Sequence, residues 1–315
     1  NNAQEYTAEE IDCFDFNGDG MDDVFIATPQ WNYIKNSSEG KGKIYYFPAR
    51  LSWSREVFLE DVPESGNYFT VWGQYEKAHL GALLKHGDLN GDGIDDLVAA
   101  CANGRENVPW PLRSAIYIIF GGQELQNGSI ENLGLKISKI YQPAIQGPLN
   151  FDIGDADGDG FDDLFVGQGA SFDSLNASGR IFVVWGRSEF PETIELENAF
   201  HDSMINVIKS DRERSQIGTR IYIGDFNNNH MPDIVTAHYD YSEWEPPPNE
   251  KFRKLTKYLH VFYDLYKDKR KDINFFDPSL QRTLFKDNST NQGDFAMTAC
   301  FADWDDDGFD DLVVG

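Results

Sequence analysis

Short apolar runs follow one another along the chain in a repeating order. Five of them, DVFIATP, DLVAACA, DLFVGQG, DIVTAHY and DLVVG, are rich in Val, Ile and Phe. They read as buried strands. Each is preceded by another run: EEIDCFDF, GALLKHGDL, NFDIGDA, TRIYIGDF and AMTACFADW. A third strand follows after a variable connection, as GKIYYFPA, SAIYIIFG, GRIFVVWG and KYLHVFYD. The fourth is less regular and is read at REVFLED or YFTVWGQ, then LKISKIYQ, MINVIKS and RTLFKD. This pattern predicts eighteen strands, with no helical periodicity between them. Four-stranded antiparallel sheets repeated along a chain imply an all-β fold, a β-propeller.

Between the first and second strand of every repeat lies the same polar string. Its five copies are Asp15/Asn17/Asp19/Gly20/Asp23, Asp88/Asn90/Asp92/Gly93/Asp96, Asp155/Asp157/Asp159/Gly160/Asp163, Asp225/Asn227/Asn229/Asp233 and Asp303/Asp305/Asp307/Gly308/Asp311. Oxygen side chains at alternate positions, a glycine for the turn and a further Asp suit a hard cation such as Ca²⁺, which takes about six to eight oxygens. Polar Asp-Asn-Gly turns are common without any ion, but five copies in register favour calcium. An EF-hand needs a Glu at position twelve. That position holds Ile26, Ala99, Val166, Thr236 and Val314, none of which ligates. Each loop is therefore a strand–loop–strand hairpin. Its expected ligands are the side chains at positions one, three, five and nine. The carbonyls of Met21, Ile94, Phe161, Met231 and Phe309 complete the set at position seven. The fourth loop has Asn227 and Asn229 where Asp is usual, His230 for the turn glycine, and Pro232, so it should bind most weakly.

The loops begin at 15, 88, 155, 225 and 303, a repeat near seventy residues. That is too long for ankyrin, tetratricopeptide or WD40 units. The segments LGALLKHGDLNGDGIDDLVAACA and IGTRIYIGDFNNNHMPDIVTAHY, each followed by a strand such as GRIFVVWG, resemble FG-GAP repeats. Those are the blades of the integrin α-subunit head and its relatives. The resemblance covers essentially the whole chain, 1–315, as a single domain. Phe-Gly is reduced to Leu80-Gly81 and Ile217-Gly218, and Gly-Ala-Pro to fragments such as Ala27-Thr28-Pro29. Four full blades and two strands of a fifth leave an apolar edge strand, which native proteins avoid. The expectation is an incomplete part of a six- or seven-bladed ring, or one completed by a further chain or subunit.

Composition narrows the setting. The chain of 315 residues is 40% apolar, enough for a sizeable core. No apolar stretch is long enough to span a membrane as a helix, and no signal peptide is seen at NNAQEYTAEE. A net charge of −26 argues against nucleic acid as partner. Cys13, Cys101 and Cys300 lie in apolar runs and read as buried thiols rather than a disulfide framework. Sequons at Asn36, Asn127, Asn176 and Asn288 fall in polar, turn-like segments. With modest calcium loops they point to an extracellular or cell-surface setting. Two basic clusters stand out, Lys251/Arg253/Lys254/Lys257 and Lys267/Lys269/Arg270/Lys271. They read first as solvated loop charges, and second as a dock for an acidic partner.

No catalytic constellation is apparent. The six histidines lack metal-ligand spacing, and there is no nucleophile elbow or phosphate loop. The leading reading is a non-catalytic adhesion or binding module for a protein or glycan. The alternative is the propeller of a larger secreted hydrolase or lyase. In such blades the second-to-third connections open on the face away from the calcium loops. Here they are aromatic, with Trp31, Trp110, Tyr241 and Trp244 as candidate partner contacts.

Overall fold

The computed structural model describes residues 9–30, 40–52, 56–57, 68–102, 114–141, 150–169, 178–196, 198, 202–213, 215–240, 244–245, 251–252, 256–267, 270–287, 299–305 and 311–314. Among these no α-helix occurs; 3-10 conformation is found at Ile130–Asn132 and at Leu196 and Asn198. The first repeat supplies β1 (Glu10–Phe14), β2 (Asp23–Thr28), β3 (Lys43–Phe47) and β4 (Phe69–Trp72). The second supplies β5 (Leu84–Gly87), β6 (Asp96–Cys101), β7 (Ala115–Ile119), β8 (Gly128–Ser129) and β9 (Ile137–Tyr141). The third runs through β10 (Asn150–Gly154), β11 (Asp163–Gln168), β12 (Arg180–Val184), β13 (Thr193–Glu195) and β14 (Ile205–Lys209). The fourth holds β15 (Ile221–Gly224), β16 (Asp233–Asp240), β17 (Trp244–Glu245), β18 (Lys251–Phe252), β19 (Thr256–Phe262), β20 (Ile273–Asn274) and β21 (Arg282–Asp287). A last hairpin joins β22 (Ala299–Ala302) to β23 (Asp311–Val314).

The chain forms two compact units, 1–144 with 187–197, and 145–186 with 198–315. The first unit contains the sheets β1-β2-β3-β4-β8 and β5-β6-β7-β9-β13. The second contains β10-β11-β12-β14-β20, β15-β16-β19-β21 and the pair β22-β23. Every strand read as first, second, third or fourth from the sequence is present in that order. For the first fourth strand, YFTVWGQ is the segment that pairs.

Among the described residues, five further short strands raise the eighteen expected to twenty-three. Strands β17 and β18 pair, among the described residues, only with each other, inside the second-to-third connection of the fourth repeat. The other three are parallel additions, β8 on β4, β13 on β9 and β20 on β14. Each comes from the third-to-fourth connection of the next repeat. A fourth strand is the outer edge of its sheet, with one row of backbone groups unpaired. The added strand covers part of that row.

Apolar side chains from both sheets of the first unit merge into one core around Phe14, Phe25, Tyr46, Leu80, Leu97 and Tyr117. The second unit packs Phe165, Trp185, Ile217, Ile234, Phe262 and Tyr266. The reduced Phe-Gly pairs stitch neighbouring sheets within each unit. Leu80 forms a parallel bridge with Gly42, and Ile217 forms one with Gly179. Gly81 follows with φ of +86°, and an added Cβ there would meet Ala27 Cβ at 2.6 Å. Only glycine satisfies both the dihedral and the close approach.

The buried thiol expected at three positions holds for Cys101, whereas Cys13 is exposed. It lies on β1, whose residues alternate between solvent and core, and its own position faces outward. The side chain of Cys300 lies outside the described residues.

Candidate functional site

All five Asp-rich strings connect antiparallel strands in one register. The residue before the first Asp sits opposite the ninth-position Asp: Phe14 and Asp23, Gly87 and Asp96, Gly154 and Asp163, Gly224 and Asp233, Ala302 and Asp311. The first Asp then organises the turn by accepting backbone N–H groups. Asp15 Oδ1 takes those of Gly18 (2.8 Å) and Asp19 (3.1 Å), and its Oδ2 takes Gly20 (2.7 Å). Asp88 does the same for Gly91, Asp92 and Gly93, and Asp155 for Gly158, Asp159 and Gly160. This needs left-handed backbone at positions four and six, which glycine supplies, as at Gly91 (φ +70°) and Gly93 (φ +84°). In the fourth loop Asn228 and His230 adopt that conformation at +50° and +65° instead. Asp225 there still accepts the N–H groups of Asn229 and His230. Fifth-position oxygens accept the N–H two residues on, for Asp19, Asp92, Asp159 and Asn229.

The ninth Asp has a structural role that spacing alone did not reveal. Asp23, Asp96, Asp163 and Asp233 are all fully buried. One oxygen of each accepts the N–H of the residue two past the end of the third strand. These donors are Ala49 (2.7 Å), Gly121 (2.9 Å), Gly186 (2.9 Å) and Asp264 (3.2 Å). In three loops the other oxygen takes the position-two N–H, from Leu89, Ala156 and Phe226; in the first loop it takes the Tyr46 hydroxyl. Asn17, Asn90 and Asn227 add carboxamide N–H donors at 3.3, 3.1 and 3.3 Å. Burial raises the carboxyls of Asp23, Asp96, Asp163 and Asp233, opposed by these backbone donors and reinforced by neighbouring Asp charges. Asp96 and Asp233 rise to about 7 and Asp163 to about 8.

The loops differ in how well they fit a cation. Three carboxylates converge within 4.8 Å of one another in the third loop (Asp155, Asp157, Asp159) and in the fifth (Asp303, Asp305, Asp311). The first two loops offer three carboxylates and one carboxamide each, all hard oxygen donors suited to calcium. Asn227 Oδ1 in the fourth loop and Asp157 Oδ1 in the third, both at position three, are buried without a hydrogen-bond partner among the described residues. A cavity of about 400 Å³ adjoins the fourth loop, lined by Phe226, Asn227, Asn229, Tyr263, Asp264 and Gln281. In the third loop an arginine reaches the same carboxylates. Arg270 Nε donates to Asp157 Oδ2, and an Arg270 terminal nitrogen donates to Asp159 Oδ2. Arg270 is therefore not the solvated charge that its basic cluster suggested. Neither this pairing nor the Asp264 contact could be read from the sequence, because both partners lie far from the loops along the chain.

The FG-GAP repeat family matches residues 13–47, which span the end of β1, the first loop, β2 and β3. The chain carries an FG-GAP repeat. FG-GAP strand order and loop position recur in all four larger sheets. Over 173 residues the chain is 26% identical to integrin alpha-5 of Xenopus laevis, covering 51% of this chain and 14% of that protein. Similarity to integrin alpha-PS3 of Drosophila melanogaster is 26% over 171 residues, and to integrin alpha pat-2 of Caenorhabditis briggsae 25% over 174 residues. The alignment spans 13% of each of these two relatives. The FG-GAP blades are thus integrin-like, and the chain spans about a seventh of the curated relatives it matches.

Several candidate residues lie outside the described residues: Asp307, Phe309, Trp31, Trp110, Tyr241, Asn36, Asn176 and Asn288. Trp244 falls in strand β17. Asn127 is exposed, and its Oδ1 accepts the backbone N–H of Thr70 at 2.8 Å.

Proposed function

We propose that this chain is a calcium-stabilised, non-catalytic adhesion module of an extracellular or cell-surface protein, its blades belonging to one FG-GAP propeller. The observation that carries the reading is the repeated loop architecture. Identical hairpin register, a first Asp tied to the turn backbone and a buried ninth Asp recur from blade to blade. A bound Ca²⁺ supplies the positive charge that offsets carboxylates gathered in one turn. Side chains at positions one, three, five and nine would hold it in the loops that begin at Asp15, Asp88 and Asp303, with position-seven carbonyls. The Asp225 loop would hold it more weakly, having two carboxylates instead of three or four.

The integrin alpha relatives support a partner-binding role with a protein ligand and a further subunit; a glycan is the other ligand class proposed. Among the described residues no helix is long and apolar enough to cross a membrane. Trp31, Trp110, Tyr241 and Trp244 on the second-to-third connections are the proposed contact residues, and Asn127 a proposed glycan acceptor.

The test is a melting curve in millimolar calcium and in EDTA. A site filled to about 100 times its Kd adds about 2.7 kcal/mol, so chelation should lower the Tm by several degrees. Identical curves would refute structural cation sites.

A further inference from the structure

We infer that the third loop carries its own cation: Arg270 occupies the place that calcium takes in the other loops, and its removal opens a new calcium site. The inference deepens the calcium reading above and borrows from it the identity of the ion.

Arg270 is delivered to the loop by anchored backbone. Four residues before it, Tyr266 is fully buried and meets Trp185 edge-on, with centroids 4.9 Å apart. Two residues after it, Asp272 Oδ1 accepts the N–H of Val207 (3.0 Å) and the Asn206 carboxamide (3.2 Å). Directly beyond, β20 pairs with β14. The excursion from the fourth repeat is thus pinned to the third on both sides of Arg270.

At the loop the guanidinium lies over the Trp185 ring, 4.7 Å from its centroid. Trp185 is completely buried, with its indole N–H held by Asn206 Oδ1 at 2.8 Å, so it forms a fixed platform. From there Arg270 donates to Asp157 Oδ2 and Asp159 Oδ2. A planar fork of donors matches two carboxylates held side by side, and an arginine on an aromatic face keeps its charge.

Asp157 stands where the first, second and fourth loops have Asn17, Asn90 and Asn227, so the third loop has a fourth carboxylate, as the fifth has with Asp305. That additional carboxylate is bonded to Arg270. Oxygens engaged by a guanidinium are not available to ring an ion that needs about six ligands. The other oxygen, Asp157 Oδ1, is buried without a hydrogen-bond partner. Without Arg270 the loop would present this oxygen and two released ones, inside a turn already shaped by Asp155 as in its neighbours.

The experiment counts ions on the whole chain by equilibrium dialysis against radioactive calcium. Arg270→Gln should bind one more calcium per chain than wild type, and Arg270→Lys, which keeps a cation there, should match wild type. An equal or smaller count for Arg270→Gln overturns the inference. Should circular dichroism show Arg270→Gln unfolded, Asp159→Ala, which removes a charged fifth-position ligand, decides. An unchanged count supports the resident arginine, and the loss of one ion overturns it. The wild-type count judges the calcium reading separately. A wild type that binds none refutes calcium in the other loops, yet a gain of one in Arg270→Gln still upholds the role of Arg270.

Discussion

At the scale of the residue, the ninth-position Asp is the strongest single determinant of each hairpin. Asp96 accepts from Leu89 N, Gly121 N and Asn90 Nδ2 in a fully buried setting. Asp96→Ala would orphan these donors, each costing about 1–3 kcal/mol when buried and unmade. Asn90→Ala removes one hydrogen bond, worth about 1 kcal/mol. Denaturant melts should rank Asp96→Ala well below Asn90→Ala in calcium and also in EDTA. Equal losses in EDTA would mean that the carboxylate acts only as a metal ligand.

A second residue-scale feature is the buried pair His238 and His260, whose Nδ1 and Nε2 approach to 2.6 Å. Burial lowers His238 to about 4, aided by Arg212 and Arg282, and lowers His260 further, with His238 adding to the effect. A histidine depressed in the folded state binds protons more readily when unfolded. Its stabilisation is present above the ordinary value of about 6.5 and is lost as pH falls from there towards 4. For His238 this amounts to on the order of 3 kcal/mol. Melting wild type and His238→Phe from pH 7.5 down to pH 4.5 should show wild type losing more. Parallel curves would count against a neutral pair.

At the scale of the element, blades are joined by close backbone contact rather than by side-chain volume alone. Gly81→Ala places a methyl against Ala27 Cβ at a positive φ. Left-handed strain of about 1–2 kcal/mol combines with overpacking of about 1–3 kcal/mol. Gly134, at φ +69° with nothing within 4 Å of an added Cβ, carries the strain alone. Gly81→Ala should therefore lower the Tm at least twice as much as Gly134→Ala. A similar loss for both would show that the sheets can separate slightly at no cost.

For the whole molecule, charge is the governing quantity. Acidic residues number 53 against 27 basic ones. Without calcium the loops add to a general self-repulsion that salt screens, with a Debye length of about 8 Å at 0.15 M. Raising sodium chloride should recover part of the Tm lost in EDTA and do little in calcium. A salt response of equal size in both buffers would refute this account.

The sequence by itself determined the strand order, the hairpin register and the placement of five oxygen-rich loops. It could do so because these features are local. Apolar alternation sets which residues pair, and Asp-x-Asn-Gly chemistry shapes a turn within nine residues. Tertiary structure decided what depends on distant segments. Parallel strands β8, β13 and β20 are too short to carry a periodic signal and exist because an edge strand offers them partners. Cys13 faces solvent on an alternating strand that its apolar neighbours made look buried. Asp264, more than thirty residues past Asp233 along the chain, donates its N–H to that carboxylate. Arg270 reads as one of a cluster of basic loop residues until the chain folds back over Trp185 and sets it against the carboxylates of the third loop. Pairing across more than a hundred residues leaves no local trace, because a guanidinium and an acidic turn each look solvated until packing brings them together.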